Sequence, residues 1–179
     1  KPPAPHQLTL PGHHDVALSN LVRRLLSPLV RYQRDITKDL EPFYEDAEIA
    51  VLGVNTARAL TLKDGRINRL QIEAAAQRFA DCGIDVTRIV VTHHTFDVPE
   101  ATTASTAAHK RVGRADMALT SFIGAGVDMI LSGHLHMRAV PKTTQRYRVL
   151  GPAALVRHAR PAPSTRTRLK LNALTELSI

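Results

Sequence analysis

The sequence has little sulfur, few aromatic rings and no long apolar run. Cys82 is the one cysteine among 179 residues, so an intramolecular disulfide framework is excluded and a small packed thiol is expected. Tryptophan does not occur and aromatic residues make up 4% of the chain, which disfavours a binder that stacks single-stranded nucleic acid. No apolar run reaches the roughly 20 residues of a membrane span, and no signal segment follows Lys1. We therefore expect a cytoplasmic protein without a membrane partner.

The residues that are present describe a basic, globular chain. Hydrophobic residues make up 44% of the sequence, which is enough to bury the core of one ordinary domain, and we expect a single domain over 1–179. Lys and Arg outnumber Asp and Glu by 24 to 16, which gives a net charge of +8. A positive surface attracts anions over long range. The charge therefore favours phosphate esters and nucleotides as ligands.

Short apolar runs alternate with segments of helical periodicity. Helices are predicted over 18–30, where Pro28 should split the segment, over 68–79 with Asn68 as the N-cap, and over 114–125. Apolar and β-branched runs predict strands at 7–10, 49–56, 89–92, 127–132, 147–150 and 169–174. The stretch 152–168, rich in Ala, Pro and Arg, is predicted to be irregular. This order of elements predicts an α/β fold.

Histidines follow three of the predicted strands. The three runs are Gly12-His13-His14-Asp15, Thr92-His93-His94 and Gly133-His134-Leu135-His136. A histidine taken alone is more often a surface or hydrogen-bonded residue than a ligand. Groups beyond the carboxyl ends of strands collect at one edge of an α/β sheet, however, and imidazole binds Zn, Fe, Mn and similar ions. The repeated placement therefore predicts a metal site.

These motifs resemble those of the calcineurin-like metallophosphoesterases. The first run is similar to the family's Gly-Asn-His-Asp motif, the second to its single-histidine motif, and the third to its Gly-His-x-His motif, in the family's order and spacing. Asn55-Thr56 followed by Asp64-Gly65-Arg66 is similar to the branch that includes the class III cyclic-nucleotide phosphodiesterases. The resemblance implies a four-layer α/β/β/α β-sandwich flanked by helices. It also implies a dinuclear centre that hydrolyses phosphodiesters, cyclic nucleotides among them, with a metal-bound hydroxide.

The resemblance also implies roles for single residues. His93 and His134 would bind the second ion, His136 the first, and His13 would bind in place of the family's Asn. His14 would contact the substrate or protonate the leaving oxygen. Asp15 would assist His14, and His94 is interpreted as a neighbour of the site rather than a ligand. The implied ions are divalent or trivalent Fe, Mn, Zn or Co.

Two family motifs do not occur ahead of Gly12. Asp-x-His and Gly-Asp-x-x-Asp supply the first ion's ligands and the carboxylate that bridges both ions, and the residues before Gly12 contain neither. We therefore expect a domain that lacks its N-terminal βαβ portion and holds one ion or none of the two. Sheet edges exposed by that absence would favour a homo-oligomer or a complementing chain.

Three functions stay open from the sequence. The first is a metal-dependent phosphodiesterase, and the second is a catalytically incomplete metal-binding or association module in which His13, His93 and His134 hold at most one ion. The third is a nucleic-acid binder, although a solvated basic loop is the favoured interpretation of the residues that would bind the phosphates. Its phosphate patch would consist of Arg157, Arg160, Arg166, Arg168 and Lys170.

Overall fold

Helices and strands alternate along much of the chain in a computed structural model of the protein. The structure describes residues 7–16, 21–59, 65–96 and 111–133 and the strands at 147–149, 154–157, 170–171 and 176–178. The strands are β1 (Gln7–Thr9), β2 (Phe43–Glu45), β3 (Ile49–Val54), β4 (Thr87–Thr92), β5 (Met129–Ser132), β6 (Tyr147–Val149), β7 (Ala154–Arg157), β8 (Lys170–Leu171) and β9 (Glu176–Ser178). The helices are α1 (Leu21–Leu26), α2 (Val30–Asp35), α3 (Arg69–Ala80) and α4 (Ala115–Gly124). The predicted α/β class is confirmed.

The larger sheet places three strand ends at one edge. Its six strands lie in the order β2-β3-β4-β5-β7-β6, with β3, β4 and β5 parallel and the flanking strands antiparallel. Val54 pairs with Thr92, and Thr92 pairs with Ser132. The three parallel strands therefore end at the same level, and the residues that follow them leave the sheet side by side.

Both faces of the parallel strands are buried. Side chains alternate between faces along a strand, so Ala50, Leu52 and Val90 pack with α3 and α4 residues such as Phe79 and Phe122. The opposite face is covered by a second cluster that includes Leu8 of β1, in the three-stranded sheet β1-β9-β8. Burial on both faces explains why these strands are continuous apolar runs without polar alternation. The described layers are thus helices, a six-stranded sheet and a smaller sheet.

Local signals place the ends of the helices. Asn68 caps α3 because its side-chain oxygen accepts a hydrogen bond from the Gln71 N–H at 2.8 Å. Pro28 lies in the break between α1 and α2, as its missing N–H requires. At the other end of α3, the buried guanidinium of Arg88 donates to the carbonyls of Phe79, Cys82 and Gly83 at 3.0–3.2 Å. The Phe79 carbonyl lies in the last turn of α3, and the other two carbonyls follow the helix.

Cys82 is a packed thiol, as expected from the sequence. It is 7% exposed and its Sγ donates to the Arg78 carbonyl at 3.4 Å. Burial, together with nearby Glu45, raises the pKa of the Cys82 thiol. A raised pKa keeps the sulfur protonated and therefore unreactive.

The prediction for one segment was wrong. The stretch 152–168 was predicted to be irregular, but Ala154–Arg157 forms β7 between β5 and β6. Leu155 pairs with Ile130 on one side and with Val149 on the other. Pairing with two neighbours stabilises a strand whose own sequence signal is only four residues long. The remaining predicted helices and strands occur, with ends that differ by a few residues where these are described. Of the predicted strand 169–174, only Lys170–Leu171 belongs to the described residues.

Among the described residues, no helix combines the length and the apolar character needed to cross a bilayer.

Candidate metal centre

Three imidazole rings meet beyond the level ends of the strands. His93 and His94 directly follow β4, and His13 opens a 3-10 helix, His13–Asp15, shortly after β1. One ring nitrogen from each histidine lies within 4.8 Å of the other two. The His13 Nδ1 and the His93 Nε2 are 3.0 Å apart, although 80 residues separate the two histidines in sequence. Two distant segments of the chain therefore deliver nitrogen donors to one point.

A fourth imidazole extends this group toward solvent. The His14 ring lies 3.9 Å from the His13 ring between centroids, and His14 is exposed. His13 and His93 are half-buried, whereas His94 is 1% exposed and forms the floor of the group. The His93 and His94 rings meet edge to face at 4.8 Å. The group therefore has one buried end, at His94, and one solvent-exposed end, at His14.

Thr56 contacts the buried ring directly. Its Oγ1 lies 2.8 Å from the His94 Nδ1, and it also accepts a hydrogen bond from the His94 backbone N–H at 3.4 Å. Thr56 follows β3 by two residues and is fully buried. Thr92 donates its hydroxyl to the His94 carbonyl at 2.8 Å. The ring and the backbone of His94 are thus held by two different threonines.

Two glycines allow the imidazoles to approach the backbone. A Cβ at Gly12 would lie 2.8 Å from the His93 Cε1, and a Cβ at Gly65 would lie 2.3 Å from the His94 Nδ1. Gly65 also has a φ of +64°, a left-handed conformation that favours glycine. Any larger residue at either position would displace a ring. Gly12 therefore leaves room for the His93 ring, and Gly65 leaves room for the His94 ring and also adopts a backbone conformation that favours glycine.

Asp15 fixes the turn that carries His13 and His14. Its Oδ2 accepts a hydrogen bond from the Gly12 N–H at 2.7 Å, and the Asp15 N–H donates to the Gly12 carbonyl at 3.2 Å. The reciprocal bonds close the single 3-10 turn. The position of the exposed His14 therefore depends on Asp15, which is itself exposed.

The donor set fits a transition-metal ion. Imidazole suits Zn, Cu, Fe and Ni, and zinc binds histidine nitrogen at about 2.0–2.1 Å, which places two tetrahedral ligands about 3.3 Å apart. The 3.0 Å separation of the His13 and His93 nitrogens is close to that value. The third nitrogen, from His94, lies within 4.8 Å of these two, which is a wider spacing than two zinc ligands have. Among the described residues, this ligand group contains three nitrogen donors and no carboxylate.

The predicted site residues fall into three sets. The structure brings His13 and His93 together, and places His14 and Asp15 next to them on the same turn. His134 and His136 lie outside the described residues, although the strand that precedes them ends level with β4. The side chains of the predicted phosphate patch, Arg157, Arg160, Arg166, Arg168 and Lys170, also lie outside the described part.

His94 is the donor that sequence reasoning passed over. It was interpreted as a neighbour because the family motif that this run resembles has a single histidine. The chain bends at His93 and His94 immediately after β4, so both rings turn to the same side. The useful signal was the position of the pair beyond the last strand residue, where strand alternation no longer applies.

A cavity of about 410 Å³ flanks the loop that carries Thr56. Apolar side chains of α1, α2 and the following loop form most of its wall, among them Leu26, Leu29 and Leu40. Arg58 contributes the one cationic side chain to this wall, and burial lowers the pKa of its guanidinium while Glu41 opposes that shift. The cavity therefore offers apolar surface and one cation, and none of the site histidines lines it.

No family model matches the sequence, and no curated protein is significantly similar to it.

Proposed function

We propose that the chain is a metal-dependent phosphoesterase that hydrolyses phosphodiesters, with cyclic nucleotides as the natural substrate class. The observation that carries this proposal is the meeting of His13, His93 and His94 within 4.8 Å at the strand ends. Two of the three motifs that resemble metallophosphoesterases supply these residues. The net charge of +8 also supports the proposal, because a positive surface attracts an anionic substrate.

Each residue of the group has a proposed task. His13, His93 and His94 would hold the ion, which would polarise the phosphoryl oxygen and lower the pKa of a bound water. His14 would donate a proton to the leaving oxygen, since it lies against His13 and faces solvent. Asp15 would keep His14 in place through its bond to Gly12.

The resemblance supplies the rest of the proposal. The specific fold would be the four-layer β-sandwich, of which the helices and the two sheets are consistent parts. His134 would join the ion bound by His93, and His136 would serve the first ion. A complete dinuclear centre would also need the carboxylates that the family's first two motifs supply, from a complementing chain.

A second candidate function follows from the donor set. The three-histidine group contains no carboxylate among the described residues, whereas a bridging Asp joins the two ions in the resembling family. A site that holds one ion without turnover would make the chain a metal-binding or association module. Ion content and turnover together separate the two candidates.

The test compares His93→Ala with His109→Ala, a histidine that belongs to none of the three motifs. Each variant is loaded with zinc or manganese and desalted, the bound ion is counted by elemental analysis, and hydrolysis of a bis-aryl phosphodiester is measured. We expect His93→Ala to lose both ion and turnover, and His109→Ala to keep both. An ion bound without turnover by the unmodified chain would favour the binding module. Equal ion content in the two variants would contradict the proposed metal site.

A further inference from the structure

The buried end of the imidazole group is held by the hydroxyl of Thr56, for which the family resemblance implies no role. Thr56 Oγ1 lies 2.8 Å from the Nδ1 of His94, and both side chains are almost completely buried. A histidine has two ring nitrogens, and the hydrogen bond that one makes decides which proton state the other adopts. The contact therefore controls how His94 can be used.

We propose that His94 is a third ligand of the ion, binding through Nε2, and that Thr56 is the positioning residue that orients it. The inference rests on the proposed ion site, and it goes further because it assigns the ligating nitrogen of His94 and the outer-shell partner that orients the ring. When Nδ1 carries the proton and donates it to Thr56 Oγ1, the Nε2 lone pair is available to a metal ion. Metal-bound histidines commonly donate their second ring N–H to such a partner.

The surroundings restrict His94 to this orientation. Gly65 covers one side of the ring so closely that a Cβ there would lie 2.3 Å from the Nδ1. The backbone of Gly65 is itself fixed, because its carbonyl accepts the Gly113 N–H at 3.1 Å and the next residue, Arg66, donates its N–H to the Thr56 carbonyl at 2.8 Å. A ring held between a hydroxyl and a backbone wall loses little freedom when an ion binds.

The donor chemistry also selects the ion to be used as a probe. Nitrogen donors suit zinc, whereas carboxylate and carbonyl oxygens suit magnesium and manganese. With His94 as the third ligand, the described donors are all nitrogen. Zinc is therefore expected to bind more tightly than manganese.

The experiment measures zinc affinity by competition with a chromophoric chelator in the purified chain. Thr56→Val is nearly isosteric and removes the hydroxyl, so we expect zinc binding to weaken about 10- to 100-fold, the usual effect of losing an outer-shell partner. Thr56→Ser restores the hydroxyl and is expected to return the affinity to within about threefold, which a purely structural role for Thr56 does not predict.

Thr92→Val is the matched control. Thr92 is also buried and also contacts His94, but it donates its hydroxyl to the backbone carbonyl, so the variant should lose comparable thermal stability and keep its zinc affinity. Unchanged zinc affinity in Thr56→Val, or an equal loss in Thr56→Val and Thr92→Val, would overturn the assignment of Thr56 while leaving the ion site intact. Absence of zinc binding by the unmodified chain would overturn the ion site, and the proposed function with it.

Discussion

Gly65→Ala should damage the fold and the imidazole group together. Gly65 has a φ of +64°, and an alanine in the left-handed region costs about 1–2 kcal/mol. The new Cβ would also lie 2.3 Å from the His94 Nδ1, where real Cβ contacts are not shorter than 3.0 Å. Overpacking of this kind adds about 1–3 kcal/mol, so we expect the free energy of unfolding to fall by about 2–5 kcal/mol.

The displaced ring should also weaken ion binding. To reach 3.0 Å from the new Cβ, the His94 ring must retreat by about 0.7 Å, which exceeds the roughly 0.5 Å that binding sites tolerate. We therefore expect a zinc affinity at least about tenfold lower than that of the unmodified chain, comparable to the loss of an outer-shell partner. Urea unfolding measures the first effect and chelator competition the second.

Gly126→Ala separates the two causes. Gly126 has a φ of +76°, but its Cβ would meet only the Arg88 guanidinium, at 3.4 Å, an ordinary contact. We expect this variant to lose about 1–2 kcal/mol of stability and to bind zinc normally. If Gly65→Ala and Gly126→Ala lose the same stability and bind zinc equally, the close packing of Gly65 against His94 is refuted.

Two further predictions concern parts of the fold away from the site. Arg88→Met should lower the free energy of unfolding by about 3 kcal/mol, because the carbonyls of Phe79 and its neighbours lose a charged donor, and a loss below about 1 kcal/mol in urea unfolding would contradict this. For Asp46, burial alone would raise the carboxyl pKa, but hydrogen bonds from the Ile49 and Glu48 N–H groups and the Tyr44 hydroxyl outweigh it and lower the pKa. The resulting stability is present above the unfolded pKa of about 3.9 and is lost as the pH falls through the lower, folded value. Asp46→Asn should flatten the pH dependence of the melting temperature below about pH 4, and an unchanged profile would count against these bonds.

The sequence predicts the sheet better than it predicts the site. The runs around Val51, Val90 and Ile130 are buried on both faces, so their apolar character specifies strands without any tertiary information. The same logic fails for β7, because Ala154–Arg157 is short and depends on pairing with β5 and β6. The sequence of a short segment does not by itself specify its pairing with distant strands.

Within the site, the sequence predicts which segments of the chain meet, but it does not predict which ring nitrogens face the ion site. The meeting of His13 with His93 follows from two histidine runs at strand ends. The inclusion of His94 depends on a bend after β4, and its orientation depends on Thr56, which is 38 residues earlier in the chain. Both facts belong to tertiary structure. The role of Gly65 likewise emerges only when the ring beside it is seen.

The most direct test of the account is the number of imidazoles bound to zinc, counted by X-ray absorption spectroscopy of the zinc-loaded chain. We expect a shell with at least three histidine nitrogens, which loses one in each of the variants His13→Ala, His93→Ala and His94→Ala. A shell dominated by oxygen, or one that the three substitutions leave unchanged, would contradict it.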